Sequence, residues 1–159
     1  MSSKDTTENL LDYLPESAIA VDLKSQNKKE LLKEMAQILT DAHKIKQTSK
    51  VLDALVEREE LGSTGIGQGI AIPHGKSDHI DTVITALGIS KKGIDFEALD
   101  GEPVYLFFML VAPTNSSGLH LKILAKVSRL LKDKFFRQSL REAKSAAEVV
   151  SRIKEENEF

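Results

Sequence analysis

One stretch of the chain, residues 104–111, is apolar at nearly every position, and it constrains the fold more than any other feature. A strand with water on one face alternates apolar and polar side chains, whereas a strand covered on both faces is apolar throughout. The run therefore predicts a central strand, which Pro113 ends because proline has no backbone N–H to donate. A second strand is predicted over residues 82–89, which alternate and are rich in β-branched side chains, followed by a turn at residues 91–93.

Helical patterns surround these two strands. Asn27 is followed three residues later by Glu30, a capping box that predicts a helix start, and His43 near the end of this helix is expected to be solvated. A short strand over residues 18–23 is predicted before this helix. Four further helices are predicted: from Thr48 or Ser49 to Gly62, from Ser116 or Ser117 through Leu131, over residues 135–142, and from Ser145 through Ile153. Strands interleaved with helices predict one α/β domain, with a central mixed, mostly parallel sheet and helices on both faces.

Composition and charge limit the classes of function. Residues 1–9 are polar and expected to be flexible, residues 10–155 form the predicted domain, and residues 156–159 are a charged tail. The 22 basic and 24 acidic residues nearly balance and aromatic residues are scarce, so no nucleic-acid partner is predicted. The absence of cysteine excludes disulfides and zinc–cysteine sites. No apolar run approaches the ~18 residues of a membrane span and no signal peptide is evident, so we expect a cytoplasmic protein without direct membrane insertion.

Residues 62–76 are the stretch that most suggests chemistry, because they hold five of the nine glycines and a histidine, His74, directly after Pro73. Glycine lets the backbone adopt positive φ or approach another group closely. Proline fixes its own φ and biases the preceding residue towards an extended conformation, so the imidazole of His74 is presented from a stiff backbone. From local pattern the stretch is either a reactive loop or a glycine-rich turn with an incidental histidine.

Nucleotide, metal and hydrolase motifs do not fit this stretch. Gly75-Lys76-Ser77 matches the end of a Walker A loop, but the earlier glycine, Gly69, lies one residue too early. In residues 65–69 the third glycine of a dinucleotide fingerprint also comes one residue early. His74 and His79 are five residues apart, a spacing that does not align two metal ligands on one helix face. A nucleophile elbow of the G-x-S-x-G type is absent.

Two residues outside this stretch are predicted to lie where they can act on an anion. Arg58 is near the end of the helix that leads into residues 62–76, and a planar guanidinium meets phosphate oxygens two at a time. His120 is in the first turn of a later helix, where unpaired N–H groups and the helix dipole favour an anion. Each also has an ordinary explanation, because residues 57–60 form a charge run typical of a solvated helix end and His120 fits a surface histidine. The apolar residues of this later helix include Leu119, Leu121 and Ile123.

Glu59, a gap of six residues, and then the sequence IGQGIAIPHG at residues 66–75 resemble the phosphorylation-site motif of a known family. That family is the mannitol/fructose class of enzyme IIA (EIIA) domains of the phosphoenolpyruvate-dependent sugar phosphotransferase system (PTS). The resemblance continues with Arg58 upstream and His120 downstream, and it covers about residues 10–153. A chain of this length that begins with its own methionine, without attached IIB or membrane IIC parts, is most similar to the nitrogen-regulatory branch.

The resemblance implies that His74 is a phosphoacceptor that takes a phosphoryl group from an HPr-like carrier protein. By the same analogy Arg58 and His120 are hydrogen-bond donors to that group, and Ser63 and Thr64 are candidate phosphate or loop contacts. No cofactor and no metal are implied. The implied partners are the HPr-like donor and either an EIIB-type domain or regulated target proteins. Apolar residues near His74, namely Ile66, Ile70 and Ile72, fit either a docking rim or the core.

Three functions are consistent with these residues. The expected function is a phosphocarrier that acts mainly as a phosphorylation-dependent regulator of the nitrogen-type PTS, because phosphorylation adds ~1.5 to 2 negative charges at one surface point. The first alternative is an EIIA component that passes phosphate to an EIIB in fructose/mannitol-class sugar uptake. The second alternative is a non-catalytic α/β ligand-binding domain.

Overall fold

A computed structural model describes residues 9–116 and 118–157. The predicted flexible start therefore lies outside the described residues except for Asn9, and so does Ser117, one of the two predicted starts of the third helix. Short 3-10 turns occur at Leu10–Asp12 and Glu16–Ala18. In chain order the remaining elements are β1 (Ile19–Ala20), α1 (Lys28–Ala42), α2 (Thr48–Glu60), β2 (Gly65–Gly67), β3 (Ile70–Ala71), β4 (His74–Ser77), β5 (Ile84–Ile94), β6 (Val104–Pro113), α3 (Leu119–Lys132), α4 (Lys134–Arg141) and α5 (Ala146–Asn157).

The six strands form one mixed sheet in the order β1-β5-β6-β3-β2, and β4 also pairs with β6. Three pairings are parallel, namely β1 with β5 and both β3 and β4 with β6. The long central pairing of β5 with β6 is antiparallel, as is the short pairing of β2 with β3. The predicted α/β domain with a mixed, mostly parallel sheet is therefore confirmed.

Helices cover both faces of the sheet. Gly88 of β5 and Phe107 of β6 are register partners, and a Cβ on Gly88 would lie only 2.4 Å from the Sδ of Met35 in α1. The next pair, Leu87 and Phe108, faces the opposite side, where apolar residues of α3, α4 and α5 meet it: Val127 and Leu131 of α3, Phe136 and Leu140 of α4, and Ile153 of α5. Burial on both faces explains why residues 104–111 are apolar throughout.

The helix starts follow the predicted caps. The Asn27 side chain accepts a hydrogen bond from the Glu30 backbone N–H at 2.9 Å, and the Ser145 hydroxyl accepts one from the Glu148 N–H at 3.1 Å. The reciprocal bond of the first box differs in detail, because the Glu30 carboxylate accepts from the Gln26 N–H instead of the Asn27 N–H. Both sites nevertheless satisfy backbone donors that a helix leaves unpaired at its start.

Three predictions of local structure are wrong. The turn at residues 91–93 lies inside β5, which continues through an irregularity to Ile94, and the Lys91 Nζ donates to the Arg141 and Ala143 carbonyls at 2.8 Å each. His43 is half-buried and its Nε2 is 2.9 Å from the Thr85 carbonyl oxygen, so it joins α1 to β5 and is not solvated. The strand expected over residues 18–23 pairs only at Ile19–Ala20. At Lys91 and His43 a tertiary partner changed the local outcome.

The glycine-rich stretch is an interrupted strand along the outer edge of β6. Ile70 and Ala71 of β3 pair with Leu106 and Phe107, and His74–Ser77 of β4 pair further along β6. The interruption contains Pro73, whose carbonyl still accepts from the Leu110 N–H at 3.0 Å. The stretch is thus more regular than a loop, and it sets His74 at the first position of β4.

Candidate functional site

An open cleft of about 570 Å³ lies between the end of α2, β4 and the start of α3. Its lining includes the three residues that the sequence indicated from separate segments, His74, Arg58 and His120. Lys76, two residues after His74 on β4, lines the same cleft. The fold therefore brings one half-buried imidazole together with a guanidinium, an ammonium and a second imidazole.

The ring of His74 is held by its own backbone. Its Nδ1 lies 2.8 Å from the carbonyl oxygen of Ile72, two residues earlier. A carbonyl oxygen only accepts hydrogen bonds, so we assign the ring proton of neutral His74 to Nδ1. The lone pair of the neutral ring then lies on Nε2, which is the nucleophilic atom.

Arg58 reaches the cleft because α2 packs closely against β4. A Cβ on Gly75 would lie 3.1 Å from the carbonyl oxygen of Ala54, so glycine at this position permits the approach of the helix backbone. Arg58 is one turn after Ala54 and therefore on the same face of α2. Its Nη1 donates to the Gly62 carbonyl at 2.8 Å, which orients the guanidinium while other N–H groups remain for an anion.

His120 lies in the first turn of α3, as predicted. Its Nδ1 is 3.1 Å from the hydroxyl oxygen of Ser116, which precedes the helix. Burial lowers the pKa of His120 below its usual value of 6.5, and the positive charge of Lys76 and the neighbouring imidazole of His74 lower it further. His120 is therefore mainly neutral near pH 7. The Ser116 hydroxyl can donate or accept, and in the tautomer in which it donates to Nδ1 the Nε2–H of His120 is a hydrogen-bond donor.

Ser63 and Thr64 lie apart from the cleft lining. The Ser63 hydroxyl donates to the Phe96 carbonyl at 3.3 Å and accepts from the Gly65 N–H at 3.0 Å. Thr64 is buried and its hydroxyl donates to the Glu59 carboxylate. These hydroxyls tie the segment that follows α2 to Phe96 and Glu59, and the structure does not bring them together with the three residues of the cleft.

Several cleft features were not found from the sequence. Lys76 follows His74 at a spacing of two, which in a strand puts both side chains on the same face of the sheet. Because no strand was predicted at residues 74–77, the sequence did not indicate that Lys76 lies beside His74. Two exposed leucines lie at the cleft, Leu121 with 61% and Leu61 with 83% of its surface exposed. The spacing of Leu119, Leu121 and Ile123 cannot place all three on one face of a helix, and this spacing is the sequence signal that one of them is exposed. Ile70 and Ile72, by contrast, are buried.

Two further searches cover the described residues. Within residues 9–116 and 118–157 there is no group of three or more His, Asp or Glu side chains arranged to hold a metal ion. Over the same residues no helix has the length and apolar character needed to cross a membrane.

Comparison with known proteins identifies the family. Residues 12–156 match the family model described as phosphoenolpyruvate-dependent sugar phosphotransferase system, EIIA 2. The chain therefore belongs to this EIIA family, and it is a phosphotransferase component of the PTS. This match covers almost all of the predicted domain, and the family resemblance inferred from Glu59 and residues 66–75 is confirmed.

Relatives of two kinds resemble the chain. A protein named nitrogen regulatory protein from Bradyrhizobium diazoefficiens is 36% identical over 142 residues, which are 89% of this chain and 92% of that protein. The fructose-specific EIIABC component of the PTS of Bacillus subtilis is 35% identical over 144 residues, which are 91% of this chain but only 23% of that longer protein. Among solved structures, nitrogen regulatory protein IIA-Ntr from Neisseria meningitidis superposes with a TM-score of 0.84 at 35% identity, covering 91% of this chain and 98% of that one.

Proposed function

We propose that His74 is the phosphoacceptor of this EIIA domain and that its Nε2 is the atom that is phosphorylated. The observation that carries this proposal is the 2.8 Å contact of Nδ1 with the Ile72 carbonyl, which leaves the lone pair on Nε2. His74 also lines the open cleft in which Arg58, His120 and Lys76 gather. A neutral imidazole among fixed donors and positive charges is suited to receive a phosphoryl group.

The reaction is a transfer between two histidines. The Nε2 lone pair of His74 attacks the phosphorus of a phosphohistidine on an HPr-like carrier, and a new N–P bond forms as the donor's N–P bond breaks. The electron pair of the broken bond stays on the donor imidazole. The His74 ring keeps its Nδ1 proton during the attack, so positive charge develops on the ring next to the Ile72 carbonyl oxygen, which accepts that proton's hydrogen bond.

Arg58, His120 and Lys76 stabilise the transferring group in this proposal. The guanidinium of Arg58 binds phosphoryl oxygens through the N–H groups not used on Gly62, and the Nε2–H of neutral His120 donates another hydrogen bond. Lys76 supplies a positive charge at the rim of the cleft. Ser63 and Thr64 support the loop that leads to this site and are not assigned a phosphate contact.

We infer that the chain acts mainly as a phosphorylation-dependent regulator in the cytoplasm. The support is that a relative named nitrogen regulatory protein is 36% identical over 92% of its own length, and that the structure of a nitrogen regulatory protein IIA-Ntr superposes with a TM-score of 0.84. Transfer to an EIIB-type domain in sugar uptake is the second candidate, because a relative named EIIABC component aligns equally well with this chain. The exposed Leu61 and Leu121 beside the cleft favour a protein as donor and acceptor in either role.

The test is phosphorylation with phosphoenolpyruvate, enzyme I and an HPr-like carrier, followed by detection of phosphate that is labile in acid and stable in base. We expect wild type to be labelled and His74→Ala to be unlabelled, with His79→Ala as the matched control because His79 is exposed and outside the cleft. No label on wild type, or full label on His74→Ala, contradicts the proposal. A pull-down with His74→Asp and His74→Ala then tests regulation, since identical partner sets would contradict a charge-dependent switch.

A further inference from the structure

A buried carboxylate lies directly behind the cleft. Glu59 follows Arg58 in the last turn of α2, yet only 4% of its side chain is exposed. The prediction that residues 57–60 form a solvated helix end is wrong for Glu59, although its neighbour Glu60 is exposed. Burial of an unpaired carboxylate is strongly unfavourable, so the partners of Glu59 explain how this position tolerates the charge.

Glu59 joins α1 to the loop that follows α2. Its Oε1 is 2.7 Å from the Nζ of Lys28, at the start of α1. The same Nζ lies 4.8 Å from the centre of the Phe96 ring. The backbone N–H of Thr64 points at both carboxylate oxygens, at 3.3 and 3.2 Å, and the Thr64 hydroxyl donates to Oε2. One ammonium and two donors of Thr64 therefore surround the carboxylate.

The contacts continue from Thr64 to the ring of His74. The carbonyl of Thr64 accepts a hydrogen bond from the Ile72 N–H at 3.0 Å. The carbonyl of Ile72 is in turn the partner of the His74 Nδ1 at 2.8 Å. Hydrogen bonds and the backbone of Thr64 and Ile72 thus connect the Glu59 carboxylate with the imidazole of His74. Glu59 itself does not line the cleft.

We propose that Glu59 is a positioning residue for His74, acting through Thr64 and Ile72. The inference rests on the proposed function of His74. Glu59 holds Thr64 through its N–H and hydroxyl, the Thr64 carbonyl holds the Ile72 N–H, and the fixed Ile72 carbonyl keeps the ring proton on Nδ1. The path also ends on a negative carboxylate, which stabilises the positive charge that develops on the His74 ring during attack. Thr64 is then a positioning residue as well, and Lys28 balances the charge of Glu59 before the reaction.

The main test compares Glu59→Gln with Glu60→Gln. Both variants replace a carboxylate by an amide at adjacent positions, but only Glu59 is buried among these partners. We expect Glu59→Gln to slow transfer from the HPr-like carrier about 10- to 100-fold, because small displacements of a reacting atom have effects of this size, and Glu60→Gln to match wild type. The second readout is the ring nitrogen spectrum of neutral His74 by NMR, which distinguishes a proton on Nδ1 from one on Nε2.

We expect wild type and Glu60→Gln to show the proton on Nδ1, and Glu59→Gln to show a mixture of the two tautomers. A slower Glu59→Gln with an unchanged His74 spectrum would mean that Glu59 only supports the fold, and this would overturn the proposal. Equal rates and equal spectra in the two variants would overturn it too. The spectrum does not depend on phosphoryl transfer, so a wild type that takes no label defeats the proposed function without deciding the role of Glu59.

A second pair of variants keeps the test decisive where Glu59→Gln does not fold. Thr64→Val removes the hydroxyl and retains the shape and the backbone N–H, whereas Thr64→Ser retains the hydroxyl. We expect Thr64→Val to slow transfer about 3- to 10-fold with a partial change of the His74 tautomer, and Thr64→Ser to match wild type within about twofold. Thr64→Val that equals Thr64→Ser in both readouts would contradict the proposal.

Discussion

The two edges of β6 are held by different kinds of interaction. Along one edge β6 pairs with the long strand β5, whose first seven residues are all buried. Along the other edge it pairs with β3 and β4 over only two and four positions. There the chain is held by directional contacts, among them the Glu59–Thr64 bonds, the Ile72–Thr64 bond and the Ile72–His74 contact.

This difference separates stability from chemistry. Apolar burial along the β5 edge is spread over many residues and has little directional requirement, so it stabilises the sheet without orienting a reactive group. Hydrogen bonds along the β3–β4 edge have defined donors and acceptors and can fix one tautomer of one ring. We therefore expect substitutions at the β5 edge and its apolar faces to change unfolding, and substitutions near β4 to change phosphoryl transfer.

The largest expected effect on stability tests the apolar part of this comparison. Phe107 of β6 is fully buried and meets Phe96 edge to face, with ring centres 5.4 Å apart. Phe107→Ala is expected to lower the free energy of unfolding by about 3–5 kcal/mol, because it leaves a cavity in a packed core. Urea unfolding followed by circular dichroism measures the change. Phe135→Ala is the matched control, since Phe135 is 83% exposed, and equal losses in the two variants would contradict the stabilising role of apolar burial at β6.

The next effect is on rate, and it tests the polar edge. Arg58→Ala is expected to slow phosphorylation of His74 by about 100-fold, since removal of one donor to a developing charge has effects of this order. The free energy of unfolding should change by about 1 kcal/mol or less, because only the bond to the Gly62 carbonyl is lost. Single-turnover labelling gives the rate, and Lys50→Ala, an exposed residue in the first turn of α2, is the control. A rate like that of wild type would remove Arg58 from the mechanism.

The smallest effect concerns protonation at the rim of the cleft. The pKa of His120 lies below 6.5, so the folded protein binds fewer protons at this site than the unfolded chain. The contribution of His120 to stability is therefore fully present above pH 6.5 and declines as the pH falls through the window between 6.5 and the lower folded pKa. Lys76→Gln removes one cause of the shift and should raise the titration midpoint of His120 in NMR spectra. A midpoint at or above 6.5 in wild type would contradict this picture.

Much of the fold was predictable because its signals are local. The apolar run at residues 104–111, the cap residues Asn27 and Ser145, and the glycine after α2 each act on neighbouring backbone. The motif formed by Glu59 and residues 66–75 likewise identified the family before any contact was known. The predictions failed where a distant group changed the local outcome, as at Lys91, which binds carbonyls at the end of α4 and beyond it, and at His43, which contacts Thr85.

The adjacent residues Glu59 and Glu60 show the limit of the sequence most clearly. The sequence alone predicts a charged helix end that leads into a glycine-rich stretch with a proline before its histidine. Glu59 begins the family motif, but the helical pattern did not show that Glu59 is buried and Glu60 exposed, because helix periodicity says which residues share a face but not what covers that face. The contacts of Glu59 with Lys28 and Thr64 depend on the tertiary fold, since burial of a charge requires an opposite charge and donors contributed by other segments of the chain.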